Sequence, residues 1–206
     1  FNSFIFILIC ILVFLSAFLR PKNNSVDFGM HYRGASGILA EQENTIDTMN
    51  KEISQYISKI LVHNRSNENV AAIEEYFLIT GNTERIGDHA LNICGYTEVI
   101  RKNAISFSDA ARQEIQEMRE IAEKAIDKIL HRGTDMTKFL SEIAAFEQQM
   151  DDMTISYREK HLQRMHQGLC SEEACILYSE MLTDFERIGD HVLNIAQSYT
   201  KISAAD

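Results

Sequence analysis

The sequence predicts an all-α protein, and three observations carry that prediction. Of 206 residues only Pro21 is proline, so the chain beyond it lacks the residue that turns favour and that helices exclude for want of an N–H. From about residue 38 onward, apolar residues recur at steps of three and four, the helical period. Residues 84–93, ERIGDHALNI, return as residues 186–195, ERIGDHVLNI, differing only at Ala90 against Val192; the offset is 102 residues and marks a duplication of helical units. With 45% hydrophobic and 24% charged residues, the composition is that of a packed globule rather than a disordered chain.

Residues 4–19, FIFILICILVFLSAFL, carry no charge and are closed by Arg20, Pro21 and Lys22. This is the short edge of what a membrane-spanning helix needs, about 20 residues with tolerance down to about 17. Residues 1–22 are read as a transmembrane segment or the remnant of one. Two alternatives stand beside that reading: a signal-peptide core, which should bring a basic start and a small-residue cleavage site, and a misassembled stretch. If the segment spans, Arg20, Lys22 and Arg33 place residues 23–206 of a membrane-associated chain in the cytoplasm. Residues 23–37, with Asn, Ser, Gly29, Gly34 and Gly37, read as a linker.

The helices follow in order. Ile46, Met49, Ile53, Ile57 and Ile60 predict a first helix over about 38–62. The polar run 63–67 is a turn, after which Ser66 or Asn67 can cap a second helix over about 68–101. Ser106 or Ser108 starts a third, where Ile115, Met118, Ala122, Ala125 and Ile129 step 3-4-3-4 up to a stop at Gly133. Thr134 or Asp135 opens a fourth that stops at Gly168, and Ser171 opens a fifth that runs to about 201. Short connections between long helices predict antiparallel neighbours in a bundle. Residues 38–105 then form a first repeat of two helices, and residues 106–206 a second of three.

The formal charge of −10 is unevenly spread: residues 1–36 hold Arg20, Lys22 and Arg33 against Asp27, a net +2, which leaves −12 for the remainder. Such a surface repels phosphate backbones, so nucleic acid is excluded as a partner and cations or basic proteins are favoured. Cys10, Cys94, Cys170 and Cys175 have no CxxC spacing, which speaks against a disulfide scaffold or zinc ribbon. No Gly-rich phosphate loop, Ser/His/Asp elbow or Cys/His nucleophile pattern is present, and the chain is not expected to be an enzyme.

The carboxylates carry the chemistry. On a helix, positions i and i+4 share a face, so Glu84 and Asp88 project side by side with Asn92 one turn on. Glu186, Asp190 and Asn194 repeat the arrangement. About forty residues upstream of each lies a second pair, Glu43 with Asp47 and Glu147 with Asp151, so a four-carboxylate set is itself duplicated. With 11 Asp and 19 Glu, chance gives roughly one ExxxD in a chain of this length, and there are six. Glu123 with Asp127 and Glu180 with Asp184 fall outside the duplicated set and show that the pattern alone is weak. Facing pairs on adjacent helices would offer four oxygens to a hard cation such as magnesium, manganese, calcium or iron, in preference to zinc or copper. Asn92 and Asn194 are candidates to support the ligands from behind. Gly87 and Gly189, inside the motif, leave room for a close neighbour at a helix-interior cost of about 1 kcal/mol each. The competing reading is a solvated, salt-bridged face.

His89 and His191 sit about 140° from the Glu of their motif and are expected to pack between helices or face solvent. No histidine has Glu three residues before it, which removes the di-iron oxidase pattern of helical bundles. Cys94, matched by Ala196 in the second unit, is expected to be a core thiol.

At these residues the sequence resembles the PhoU family. The ERIGDH-x-x-NI segments are similar to that family's E(D)xxxD helices, and Glu43/Asp47 with Glu147/Asp151 match the partner motif. The resemblance covers about residues 37–206. It implies duplicated antiparallel three-helix bundles, multinuclear metal clusters of iron or zinc with manganese or magnesium as further candidates, and a role in phosphate uptake and its signalling. The apolar segment ahead of the domain resembles bacterial Na/phosphate cotransporters that end in a PhoU-like domain, with a transporter membrane domain or phosphate-signalling proteins as partners and a homo-oligomer as a further option. A free-standing regulator of phosphate uptake signalling and a purely structural dimerisation module are the alternatives. The family's repeat begins with a helix that the first unit lacks, so a truncation or frameshift near residue 36, the apolar segment, or another chain has to account for that wall of the bundle.

Overall fold

The computed structural model describes residues 32–63 and 67–205, and among them every element is helical. Five helices follow one another: α1 Tyr32–His63, α2 Asn67–Lys102, α3 Asp109–Leu130, α4 Met136–His166 and α5 Glu172–Ala205. The all-α expectation holds, and residues 1–31, including the apolar segment 4–19, lie outside the described residues.

Local chemistry sets the ends. The Ser108 hydroxyl accepts from the Ala111 N–H, the Asp135 carboxylate from Lys138 N–H, and the Ser171 hydroxyl from Ala174 N–H, so α3, α4 and α5 each begin on a side-chain cap. At the far end of α4, Gly168 takes φ +70°, its N–H bonds the Met165 carbonyl, and Leu169 N–H reaches back to Arg164. The end of α2 is built alike, with Ile105 N–H on the Ile100 carbonyl, but Ala104 holds the left-handed position at φ 50°. One boundary departs from the sequence expectation: α1 starts at Tyr32, inside the stretch 23–37 read as a linker. Gly34 and Gly37 cost helix propensity but leave every backbone N–H in place, and the helix runs through them.

α3, α4 and α5 pack on one another as a three-helix bundle; α1 packs on α2, and α2 lies along α5 in the most extensive contact of the fold. The core follows the sequence periodicity: Met118, Ala122, Ala125 and Ile129 of α3 are fully buried against Phe139, Ile143 and Met150 of α4 and Tyr178, Leu182, Phe185, Ile188 and Ile195 of α5. From the first repeat, Ile79, Ile86, Ala90 and Ile93 join the same core, with Met49 and Ile53 of α1 packed at its edge.

The contact between repeats carries a polar brace of matching design on both sides. His89 Nδ1 donates to Asp184 Oδ1 at 2.6 Å, and Asn92 donates to the same oxygen at 3.3 Å. At the positions 102 residues away, His191 Nδ1 lies 2.9 Å from Asn82 Oδ1 and Asn194 donates to that oxygen at 3.3 Å. The Asn82 amide nitrogen donates to the Leu78 carbonyl, which fixes its oxygen toward α5. Between the halves the two imidazoles stack at 5.5 Å. Burial, with the neighbouring His89 and Arg85, pushes the His191 pKa down to about 4, so this ring is neutral at physiological pH. His89 and His191 therefore pack between helices, as expected, whereas the amide nitrogens of Asn92 and Asn194 are spent on the opposite repeat. Asp184→Ala, which strips the acceptor from His89 and Asn92 in a buried setting, is expected to lower stability by about 1.5–3 kcal/mol in urea unfolding.

Candidate metal centre

Two groups of three carboxylates converge. Asp47 of α1 meets Glu84 and Asp88 of α2, and Glu147 and Asp151 of α4 meet Asp190 of α5, each group with one oxygen per residue inside 4.8 Å of the others. The i, i+4 spacing supplies the pair and the neighbouring helix supplies the third oxygen, so six of the eight candidate residues come together. Glu186 stands close enough for its charge to act on Glu147, but it is not one of the three convergent groups. Glu43 lies on α1 one turn before Asp47, and its side chain is outside the described residues.

The groups are electrostatically loaded. Burial first, and then the negative charges of Asp151, Asp190 and Glu186, raise the Glu147 pKa. Burial and Asp190 raise Asp151, and burial and Asp47 raise Asp88. Arg187 offsets part of this by donating to the second oxygen of Asp190 at 2.9 Å. Asp151 Oδ1 is buried with no hydrogen-bond partner from the protein. An orphaned anionic oxygen among like charges fits a cation, and an all-oxygen donor set fits magnesium, manganese or iron better than zinc, which favours nitrogen and sulfur. Cys94, buried in the core and with its pKa raised by that burial, belongs to neither group.

Gly189 sets the separation of α4 and α5 beside the second group. A Cβ there would come within 2.6 Å of Met150 Cε and 3.4 Å of its Sδ, with Glu147 Cα at 3.8 Å. The close atoms are the far end of the flexible Met150 side chain, which is fully buried, so relief means turning that side chain within the packed core.

The sequence reading missed Asp184 and Asn82. The ExxxD of Glu180 and Asp184 was set aside because it is not duplicated as a carboxylate, yet Asn82 occupies the position 102 residues earlier. The signal was an Asn/Asp exchange two residues upstream of the repeated decapeptide.

Comparison with known proteins agrees with this architecture. The family model described as "PhoU domain" matches residues 34–97 and 115–199, and the chain belongs to that family. Among characterised proteins, the phosphate-specific transport system accessory protein PhoU homolog 1 of Thermotoga maritima is 24% identical over 162 residues, 76% of this chain and 68% of the relative. Among solved structures, the phosphate transport system regulatory protein PhoU of Streptococcus pneumoniae aligns with a TM-score of 0.77 at 14% identity, over 100% of this chain and 93% of that one. PhoU of Pseudomonas aeruginosa aligns with a TM-score of 0.72 at 17% identity, over 100% and 97%. These structures share the helical fold.

The expected membrane association of residues 23–206 is corrected by these findings. The relatives are an accessory and a regulatory protein of phosphate transport, and among the described residues no helix is long and apolar enough to cross a membrane. That expectation rests on the uncharged run 4–19, the basic residues after it and the cotransporter resemblance, and the run itself lies outside the described residues.

Two measurements check the site. Gly189→Ala is expected to cost about 0.5–2 kcal/mol, overpacking outweighing the gain in helix propensity, whereas Gly81→Ala, with open space around it in α2, should gain about 0.5–1 kcal/mol. In metal-free protein at pH 7, Glu147→Gln should stabilise by roughly 0.5–1 kcal/mol through relief of repulsion. Because the folded state raises this carboxyl's pKa, its contribution favours folding below the ordinary value of 4.5 and is lost as pH rises through the folded value; the advantage of Gln should therefore shrink on acidification toward pH 4.5.

Proposed function

We propose that this PhoU-family chain is a regulator of phosphate uptake and its signalling, and that its two carboxylate groups hold metal ions. One observation carries the reading: the family match spans both repeats, and Glu43, Asp47, Glu84, Asp88, Glu147, Asp151, Glu186 and Asp190 all fall within it. The relatives are an accessory and a regulatory protein of phosphate transport, which supports a non-catalytic role exercised through transport or signalling components. Their descriptions as an accessory and a regulatory protein support a PhoU-type regulator better than a C-terminal domain of a Na/phosphate cotransporter.

The carboxylate chemistry supports the metal half of the proposal. Like charges packed across two helices repel when bare, and a cation held only by the folded state stabilises it by mass action. Metal occupancy would then set how firmly α1 is held to α2 and α4 to α5, and through them the surface offered to a partner. Magnesium, manganese and iron suit the oxygen donors, with zinc the least suited.

The test uses elemental analysis and cells together. After reconstitution in turn with iron, manganese, magnesium and zinc, the protein should retain stoichiometric metal, and a variant with Asp88→Asn and Asp190→Asn should lose most of it while staying helical. In cells growing on ample phosphate, loss of the protein should raise phosphate uptake, with the wild-type gene restoring control and the variant restoring it poorly. Unchanged uptake without the protein would remove the regulatory reading. Retention of no metal, together with a variant more stable than the parent, would favour a purely structural helical module.

A further inference from the structure

One end of the second bundle holds a polar network that the carboxylate groups do not use. Glu114 of α3 is buried and receives both terminal nitrogens of Arg164 from α4, at 3.0 and 2.5 Å, together with the Tyr178 hydroxyl of α5. His161, one turn before Arg164, stacks on the Tyr178 ring at 4.0 Å with 13° between planes and is 1% exposed. Its Nδ1 lies 3.2 Å from an Arg164 terminal nitrogen. A guanidinium only donates, so Nδ1 accepts and the neutral ring carries its proton on Nε2, which is buried with no partner in the protein.

The first repeat closes the corresponding corner without the histidine and the arginine. Aligning Glu147/Asp151 with Glu43/Asp47 sets Ile57 opposite His161 and Ile60 opposite Arg164, while Tyr76 matches Tyr178 at the offset of 102. Ile57 is buried, so the architecture is satisfied by an apolar corner, and buried ion pairs are often less stabilising than such replacements. The network also sits where the two repeats are joined. Phe107, in the connection 103–108, packs edge-on against Tyr178 at 5.9 Å, and its carbonyl is held by Arg112 at 2.8 Å.

From this geometry we infer that His161, Arg164, Glu114 and Tyr178 form an acid-released latch that holds the connection between the repeats against the second bundle. The site for an added proton is His161 Nδ1, the atom that accepts from Arg164, so proton uptake breaks that contact. It also leaves two cations beside the single carboxylate of Glu114, with no acceptor for the second ring N–H. The groups facing the ring are Glu114 from α3, Tyr178 from α5 and Arg164 from α4 itself. Burial, reinforced by Arg164 and opposed by Glu114, lowers the His161 pKa below its ordinary 6.5. The sign follows: the closed form binds the proton less readily than the open one, so the latch is fully stable above pH 6.5 and weakens as pH falls toward the lowered value.

Amide hydrogen exchange of the full chain at pH 7.5 and 5.5, corrected for intrinsic rates, tests the latch against His161→Phe, which keeps a ring on Tyr178 but has no basic nitrogen. One proton over the single pH unit below 6.5 allows a loss of protection of up to about tenfold in residues 100–115 and 157–180 of the wild type. In His161→Phe the same segments should keep their protection. Equal losses in both proteins, no loss in the wild type, or a loss spread evenly over all helices would overturn the latch. Should His161→Phe fail to fold, NMR titration of the wild-type imidazole decides: uptake at or above pH 6.5 overturns the proposal, and uptake only below it, with loss of protection at residues 100–115, supports it.

Discussion

The fold depends on the contact between α2 and α5. These are the only described helices through which the two repeats share a core, and Ile86, Ala90 and Ile93 on one side meet Phe185, Ile188 and Val192 within the same buried cluster. Apolar burial supplies the driving force there but is indifferent to register, because a helix sliding by a turn still offers apolar groups. The His–Asp and His–Asn brace is not indifferent. Each imidazole reaches one acceptor, and each acceptor is shared with one asparagine, so a slip of one turn would break all four contacts and leave the buried Asp184 and His191 without these partners. Register between the repeats is therefore held by hydrogen bonding and affinity between them by the core.

The carboxylate groups inherit their positions from that arrangement. Glu84 and Asp88 flank the buried Ile86, and Glu186 and Asp190 flank the buried Ile188, so the face that packs against the opposite repeat fixes the azimuth at which the acids emerge. α1 and α4 then approach from the outer side, α1 adding the single carboxylate of Asp47 to a pair on α2 and α4 adding the pair Glu147 and Asp151 to Asp190 on α5. In the second repeat Gly189 allows the approach to be close, and all three carboxylates are half-buried; in the first, Asp47 and Asp88 are exposed. Gathering the acids is opposed in both repeats, since desolvation leads the causes that raise Asp88 in the first as well as Glu147 and Asp151 in the second.

Much of this was legible in the sequence, and the boundary is physical. Helical periodicity, the capping residues Ser108, Asp135 and Ser171, and the side-by-side acids at i and i+4 are local properties, and the structure realises them. The start of α1 was misplaced because Gly34 and Gly37 were weighed as breakers, whereas helical hydrogen bonding tolerates them. Asn92 and Asn194 lie on the acidic face by spacing alone, but their amides were claimed by Asp184 and Asn82 across a contact that spacing within one helix does not describe. The network around Glu114 was likewise invisible, since it joins three helices and has no counterpart in the first repeat. The localisation of residues 23–206 is corrected for a related reason: it was extrapolated from the uncharged run 4–19, outside the described residues, to helices that do not share its character.

The near-twofold pairing of the brace has a consequence for how the halves stay together. Two identical single repeats meeting through this face would form an isologous dimer, residue i facing j and j facing i, and its population would rise and fall with concentration. Joining them through residues 103–108 makes the encounter intramolecular, with an effective concentration of about millimolar for a short tether. Relieved of the need for self-complementarity, the two sides could diverge, and one acceptor is now Asp184 while the other is Asn82. The halves are consequently no longer interchangeable: one carries a buried carboxyl group beside its histidine and the other a carboxamide. A signal that reaches this interface meets two different halves, which an assembly of identical subunits could not offer.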